Sequence, residues 1–362
     1  MRVAVVAATT NHHRDVDRTR RTRWLAERLA ARGHDVRVHC VQWWEGTPVE
    51  FEHEGVDYHA VTPFPEASGF ARRLPGRLRA WDPDVIHAVH DDPAAVVAAW
   101  AGSRLAGAPL LVDWYDTRAD DESREGLRGA VRERLWGAAA SLPNRVLTPS
   151  RLVQTHVREL DRDADGIEVI PNAIDLDAVR ATDPADGGDV VYSRALDEDA
   201  NLESLLLALA EFRERDWRAT VVGDGPARAG YEQQARDLRI DDRVEFVGEA
   251  SVAERVALFR NAHVYVHCAR RTPFATDLLL ALACGCVGIV EYHAASSAHE
   301  LVEGRERGFL ATSDGELVEC IGAAGELPHR TVDEGLSEYG EDAVLRRYID
   351  CYRDLQAEAG LL

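Results

Sequence analysis

The sequence predicts a two-domain α/β protein in which crossover helices cover two parallel β-sheets. Short apolar runs alternate with stretches of helical periodicity along the whole chain, which is the pattern of repeated β-α-β units. The length of 362 residues favours two domains, at roughly 100–200 residues each. Hydrophobic residues make up 46% of the chain, which is typical of a globular protein and not of a disordered one.

The first half of the chain begins with a buried strand and an amphipathic helix. The strand is predicted at 3–8, and Trp24, Leu25 and Leu29 share one face of a helix that ends at Gly33. The remaining elements of this half are strands at 36–41, 85–89, 109–113, 144–150 and 167–171, and a helix at 94–105.

A second alternating series follows a linker region that is predicted at 175–189 from its Asp, Ala, Gly and Pro content. Its elements are strands at 190–192, 219–222, 244–248, 264–267 and 287–290, a helix at 202–212, and a last helix with one apolar face at 344–355. We therefore expect an N-terminal domain of residues 1–172, completed by a helix at 340–362, and a second domain of residues 173–339. Two doubly wound halves place a ligand in a cleft at the carboxyl ends of the strands.

The charge of the chain is strongly and diffusely negative. The formal net charge is -21, and every fixed basic side chain is arginine because the chain contains no lysine. A diffuse negative field disfavours a nucleic acid partner, since phosphate binding needs clustered cations. The composition suits a cytoplasm at molar salt, as in a haloarchaeon. A GC-rich genome also replaces lysine by arginine.

The cysteines and the apolar runs predict a cytoplasmic protein. The six cysteines form no Cys-x-x-Cys pair, so we expect reduced, partly buried thiols and no metal site. No apolar run approaches the roughly 20 residues that span a bilayer, and the chain begins directly with a strand and no signal peptide. The predicted location is the cytoplasm, with a peripheral position at the inner face of the membrane as an alternative.

Several motifs, taken in order, resemble the retaining family 4 of GT-B glycosyltransferases. Each motif is weak alone, and their order and spacing carry the resemblance. The motifs are RGHDV at 32–36, WDPDVIH at 81–87, VIPNAID at 169–175, VVGDGP at 221–226, DRVEFVG at 242–248, TPFA at 272–275 with ALACG at 281–285, and ELVEGRERGFL at 300–310. The resemblance implies two facing Rossmann-like domains, an N-terminal acceptor domain and a C-terminal domain that binds a nucleotide-sugar donor.

The resemblance also implies the residues of the site. The candidate catalytic residues are Thr272, Tyr115 and Asp116, and the candidate donor-binding residues are Arg194, Arg270, Arg271, Gly223, Asp224, Phe274, Asp277 and Leu280. The nucleotide sugar is a substrate, and no cofactor or metal is implied. The acceptor class stays open among a sugar, a lipid-linked molecule and a small molecule. From the residues alone, Gly223 with Pro226 forms a tight turn that either admits a ligand or reverses the chain, and Thr272 precedes a helix whose free N–H groups could bind an anion.

The chain departs from the family at three charged positions. Thr272 and Leu280 stand where the family has two glutamates separated by seven residues, and Asp199 or Ala200 stands where it has the phosphate-binding lysine. Asp277, one turn before Leu280, either replaces a glutamate or compensates the helix dipole. Since the chain has no lysine, Arg194 with Arg270 or Arg271 is expected to bind the donor diphosphate.

These observations favour a metal-independent retaining glycosyltransferase and leave two alternatives. The lost glutamates and lysine fit a catalytically inactive GT-B protein that partners or regulates another transferase. A sugar-nucleotide epimerase of the same fold would need catalytic carboxylates and a histidine near the cleft.

The segment 70–81 is a candidate membrane contact. It has four arginines and no acidic residue, with Phe70, Leu74, Leu78 and Trp81 at near-helical spacing. Such a stretch could rest on anionic lipid. The alternative is that its apolar face packs inward and its arginines pair with the protein's own acids.

Overall fold

The chain divides into two compact units. The computed structural model describes residues 1–46, 49–63, 67–90, 92–115, 127–160 and 166–360. One unit consists of Met1–Pro171 with Val344–Leu362, and the other of Asn172–Ala343. The sequence predicts that the chain leaves the first domain after residue 172 and returns to it after residue 339.

The first unit is built on an eight-stranded sheet whose strand order is β3-β4-β2-β1-β5-β6-β7-β8. Its elements in chain order are β1 (Arg2–Val6), α1 (Asp17–Ala31), β2 (Asp35–Gln42), β3 (Glu50–His53), β4 (Val56–Pro63), α2 (Ala67–Trp81), β5 (Val85–Val89), α3 (Pro93–Ala106), β6 (Leu110–Asp113), α4 (Leu127–Ser141), β7 (Arg145–Thr148), α5 (Arg151–Glu159) and β8 (Ile167–Val169). Every pairing is parallel except that of β3 with β4 at the edge of the sheet. The antiparallel β3–β4 hairpin is the part of this sheet that the sequence did not predict.

The second unit is built on a six-stranded parallel sheet whose order is β11-β10-β9-β12-β14-β16. Its elements are α6 (Leu176–Ala181), β9 (Val190–Ser193), α7 (Leu202–Ala210), β10 (Ala219–Val222), α8 (Arg228–Asp237), β11 (Val244–Gly248), α9 (Val252–Asn261), β12 (Val264–His267), β13 (Arg271–Thr272), α10 (Thr276–Ala283), β14 (Val287–Glu291), β15 (Ala295–Ser296), α11 (His299–Val302), β16 (Gly308–Ala311), α12 (Asp314–Ala324) and a 3-10 helix (Glu334–Tyr339). The last helix, α13 (Glu341–Glu358), belongs to the first unit from Val344 onwards.

Local sequence accounts for several helix ends. Helix α1 stops two residues before Gly33, whose φ of +81° lies in the left-handed region that glycine adopts without strain. Helix α9 begins with a capping box in which Ser251 and Glu254 exchange side-chain and backbone hydrogen bonds. The predicted linker at 175–189 contains the short helix α6, whose N-cap is Asp175.

Buried strands form the core of each unit. Val3 and Val5 in β1, like Val264 and Val266 in β12, are at most 3% exposed. Parallel strands that are covered on both faces have this continuous apolar composition. Each sheet therefore presents the carboxyl ends of its strands along one edge, where loops supply the polar side chains.

Candidate functional site

The carboxyl edge of the second sheet gathers most of the candidate donor-binding residues. Strand β9 ends at Ser193, β10 at Val222, β12 at His267 and β14 at Glu291, and these strands are neighbours in the sheet. Because they are parallel, the loops that follow them meet at one edge. Arg194, the turn at 223–226 and the segment 268–272 come from three of these loops.

The turn after β10 approaches the backbone of the loop after β9. Gly223 has a φ of +127°, and a Cβ atom added there would lie 1.9 Å from the carbonyl oxygen of Arg194. The carboxylate of Asp224 already has partners within the protein, since it pairs with Arg228 at 3.1 Å and accepts from the N–H of Gly225. Because it has no Cβ, Gly223 lets the turn pack directly against the backbone of Arg194. The sequence had left two equal roles open for this turn, contact with a ligand and reversal of the chain.

Arg194 is fixed by contacts at the end of the neighbouring strand β12. Its Nη1 donates to the carbonyl oxygen of Arg271 at 2.9 Å and to Oγ1 of Thr272 at 3.1 Å. His267 Nε2 lies 3.1 Å from the same Thr272 hydroxyl. Burial, with a smaller contribution from Arg194, lowers the pKa of His267 to about 3, so this histidine is neutral. The hydroxyl of Thr272, which is 6% exposed, thus joins the arginine to a neutral imidazole.

The two arginines before Thr272 are paired with carboxylates in the first turn of α7 and in the loop before it. Arg270 Nη2 donates to Oε1 of Glu203 and to Oδ1 of Asn201, both at 2.7 Å. Arg271 Nε lies 3.9 Å from Oδ2 of Asp199, one of the two residues at the lysine place of the family. Both arginines lie at the predicted edge, but each faces a carboxylate of the protein itself.

Helix α10 carries one acidic side chain, Asp277, one turn before Leu280. Asp277 accepts from Ser193 Oγ at 2.6 Å and pairs with Arg255 Nε at 3.2 Å. Its carboxylate therefore joins β9 to α9, and its replacement of a missing glutamate stays a prediction. Leu280 and Phe274 are each 5% exposed, and both are apolar packing residues in this structure.

Sequence reasoning missed a polar cluster at the end of β14. Asn201 Nδ2 donates to Oε2 of Glu291 and to the carbonyl oxygen of Cys268, both at 3.0 Å. His293 Nε2 lies 3.5 Å from the other oxygen of Glu291. A buried asparagine with a positive φ of +53° is uncommon, but only the strand order brings these residues together. The one sequence signal was the acidic residue directly after the apolar run of β14.

The carboxyl edge of the first sheet carries the candidate acceptor side. Tyr115 follows β6 and is 6% exposed, while Asp116 lies outside the described residues. His90, directly after β5, stacks on Trp114 with ring centroids 3.4 Å apart. Burial lowers the pKa of His90 well below its usual value, and neither ring nitrogen has a hydrogen-bond partner among the described residues. Sequence reasoning did not single out His90.

The described residues contain neither a cluster of metal ligands nor a helix that could span a membrane. No group of three or more His, Cys, Asp or Glu side chains in the described part of the chain is arranged to hold a metal ion. Among the same residues, no helix is both long and apolar enough to cross a membrane.

The comparisons with known proteins agree with this architecture. Residues 19–173 match the family model of the glycosyl transferase 4-like domain, and residues 179–324 match that of glycosyl transferases group 1. A GDP-mannose-dependent alpha-mannosyltransferase of Mycolicibacterium smegmatis is 26% identical over 345 residues, which cover 87% of this chain and 85% of the relative.

Solved structures share the fold over nearly the whole chain. Sucrose-phosphate synthase from Thermosynechococcus elongatus aligns with a TM-score of 0.77 at 19% identity, over 99% of both chains. The Anabaena protein Alr3699/HepE, in complex with UDP, aligns with a TM-score of 0.72 at 18% identity, over 99% of this chain and 98% of that one. The predicted two-domain α/β fold is confirmed.

Proposed function

Because this chain belongs to the glycosyltransferases with the GT-B fold, we propose that it transfers a sugar from a nucleotide-sugar donor to an acceptor hydroxyl, with retention and without a metal ion. The donor binds at the carboxyl edge of the second sheet, and the acceptor binds at the carboxyl edge of the first. GDP-mannose and UDP-glucose are the first donors to assay, since a relative is named for the former and a similar structure holds the latter. The acceptor is a sugar, a lipid-linked molecule or a small molecule.

The observation that carries the proposal is the fixed guanidinium of Arg194 at the ends of β9 and β12. Two hydrogen bonds to the segment 271–272 orient its side chain, which is 20% exposed. A preoriented cation at a strand end stabilises the charge that develops on a departing diphosphate. The N-terminus of α10 adds a second positive end, because the helix dipole places a partial positive charge there.

The donor must compete with the chain's own carboxylates. Asp197 lies 3.5 Å from Arg194, Asp199 lies 3.9 Å from Arg271, and Glu203 lies 2.7 Å from Arg270. These arginines are 20–53% exposed, so each pair is solvated and a diphosphate can displace it. Where the family has a positively charged lysine, this chain has carboxylates that compete with the diphosphate for the arginines. We therefore expect these ion pairs to weaken nucleotide binding.

Isothermal titration of UDP and GDP tests the donor site. Losing one charge-assisted contact costs about 1.5–3 kcal/mol, so Arg194→Ala and Arg271→Ala should each weaken binding roughly 10–100-fold. Arg218→Ala is the matched control, because Arg218 is an exposed arginine of the same unit whose side chain holds none of these loops. If wild type binds nucleotide and the two site variants bind it equally well, Arg194 and Arg271 do not hold the diphosphate.

Removing the competing carboxylate should have the opposite effect. Two unit charges about 4 Å apart interact by about 1 kcal/mol in water, so Asp199→Asn should strengthen nucleotide binding about fivefold. Asp216→Asn, at an exposed position outside these pairs, should leave the affinity unchanged. An unchanged affinity in Asp199→Asn would show that this carboxylate does not oppose the diphosphate.

A second function is favoured by the same pairs together with Thr272 and Leu280. Neither side chain can supply the carboxylate that the family places there, and Asp277, the acidic residue of α10, is held by Ser193 and Arg255. A catalytically inactive GT-B protein that partners or regulates another transferase has these features. If the wild-type protein neither binds UDP or GDP nor turns over UDP-sugars or GDP-sugars, this second function replaces the first.

A further inference from the structure

Helices α2 and α3 form a basic surface in an otherwise acidic protein. We define the α2–α3 surface by its exposed side chains, which are Arg72, Arg73, Arg77, Arg79, Arg104 and Leu105. Neither helix contains an acidic residue, although the net charge of the chain is -21. The Nη1 of Arg79 donates to the carbonyl oxygen of Leu105 at 2.8 Å, so the end of α2 and the end of α3 lie side by side.

Some exposed arginines elsewhere in the protein lie beside carboxylates. Arg20 pairs with Asp15 at 2.7 Å, and Arg180 pairs with Glu334. By contrast, Arg72, Arg73, Arg77 and Arg104 make no ion pair or hydrogen bond with any residue that the structure describes. The alternative from the sequence was that the apolar face packs inward and that the arginines pair with the protein's own acids. The described residues show no such pairing for these four arginines.

The apolar residues of α2 are not available for insertion into a membrane. Phe70, Leu74 and Leu78 are at most 1% exposed and belong to the core of the first unit, and Trp81 is partly buried and packs against that core. Leu78 packs so closely on α3 that a Cβ atom added at Gly102 would lie 2.5 Å from its Cδ1. The amphipathic membrane contact suggested by the sequence is therefore wrong in its apolar part. The surface is charged, and its apolar residue is Leu105, which is 50% exposed.

We propose that the α2–α3 surface docks the protein on an anionic lipid bilayer. Guanidinium groups bind phosphate oxygens with two hydrogen bonds, and a bilayer presents many phosphates in one plane. An arginine near such a surface strengthens binding about fivefold, so the four arginines without an ion-pair partner among the described residues together supply roughly 10²–10³-fold. A long nucleic acid fits less well, because its phosphates would also approach the acidic remainder of the chain and would leave Leu105 without an apolar partner.

Vesicle co-sedimentation tests the proposal. Vesicles of phosphatidylcholine alone are compared with vesicles that also contain phosphatidylglycerol, at the lowest KCl concentration at which circular dichroism shows the protein folded. The test variant carries Arg→Gln at 72, 73, 77 and 104, which are exposed positions without partners among the described residues, so the fold should persist. The matched control carries the same change in net charge on the second unit, with Arg→Gln at 213, 218, 236 and 239.

We expect wild type and the control variant to sediment with the phosphatidylglycerol vesicles, and the test variant to lose roughly 10²–10³-fold in affinity. Molar KCl should release the wild-type protein, since it shortens the screening length to about 3 Å. Equal sedimentation of wild type and test variant would overturn the proposal, as would equal binding to both kinds of vesicle. Binding to a duplex oligonucleotide but to neither vesicle would assign the surface to nucleic acid instead.

Discussion

Replacing the buried Asp113 by asparagine should destabilise the first unit strongly. Asp113 Oδ2 accepts from Arg21 Nε at 2.7 Å and from the Tyr348 hydroxyl at 3.1 Å, and the two charged side chains are 3% and 5% exposed. His87 Nε2 lies 3.8 Å from the same oxygen. This carboxylate is therefore the shared partner of side chains from α1, β5 and α13.

The magnitude follows from the charge that the substitution leaves behind. Burial alone lowers the pKa of the Arg21 guanidinium, but its interactions, led by that with Asp113, outweigh this effect and raise the pKa. Arginine stays protonated in proteins, so Asp113→Asn leaves the buried Arg21 charge beside a neutral amide, with the carbonyl oxygen of Ile170 and the Tyr348 ring among its neighbours. Removing one partner of a buried ion pair costs about 3–5 kcal/mol.

The matched control is Asp82→Asn, which makes the same substitution in an exposed pair. Asp82 lies 3.0 Å from Arg2, and the side chains are 69% and 41% exposed, so the expected cost is about 0–1 kcal/mol. Urea unfolding followed by circular dichroism measures both variants against wild type. If Asp113→Asn loses no more stability than Asp82→Asn, the buried carboxylate does not hold this unit together.

Three further results are expected. Burial lowers the pKa of His87 to about 4 and that of His267 to about 3, from an ordinary value of 6.5, so only the unfolded chain takes up protons on them as the pH falls below 6.5. Stability should therefore drop by about 1.4 kcal/mol per pH unit for each histidine between pH 6 and 4.5, and a constant urea midpoint over that range would contradict this. Gly223→Ala should lower stability because its Cβ would lie 1.9 Å from the Arg194 carbonyl oxygen, whereas Gly230→Ala in α8, with no atom within 4 Å of its Cβ, should raise stability by up to about 1 kcal/mol; equal melting temperatures would refute the comparison. With a net charge of -21, the melting temperature should rise with KCl concentration, and a flat or falling curve in a thermal scan would show that self-repulsion is unimportant.

Local sequence predicted the order and type of most strands, and with them the edge where candidate site residues meet. An apolar run followed by a polar residue or a tight turn specifies a buried strand and its end, as at Ser193 and at Gly223. Since parallel strands place their carboxyl ends along one edge, the positions of Arg194 and Thr272 at that edge follow from the pattern alone. The β3–β4 hairpin was missed because β3 has only four residues and none of them is buried, so it carries no apolar run.

Which groups pair within the site could not be predicted in this way. Asp277 meets Ser193 across 84 positions of the chain, and Arg21 meets Asp113 across 92. Several carboxylates and arginines have similar neighbours along the chain, so their charges alone do not decide which of them meet. Glu203 neutralises Arg270, whereas Arg72 has no carboxylate partner among the described residues. The difference lies only in the side chains that the fold brings near each arginine.

The sequence by itself therefore determined the fold, the edge that carries the candidate donor site and the absence of lysine from it. Periodicity and turn residues act over a few positions, and they specify which segments are strands and where each strand ends, whereas the order of the strands in each sheet comes from the structure. Only the tertiary structure decided that Asp199 faces Arg271, that Asp277 joins β9 to α9, and that α2 turns its leucines inward. Those choices depend on side chains distant in sequence, because burial and ion pairing are set by the neighbours that packing supplies.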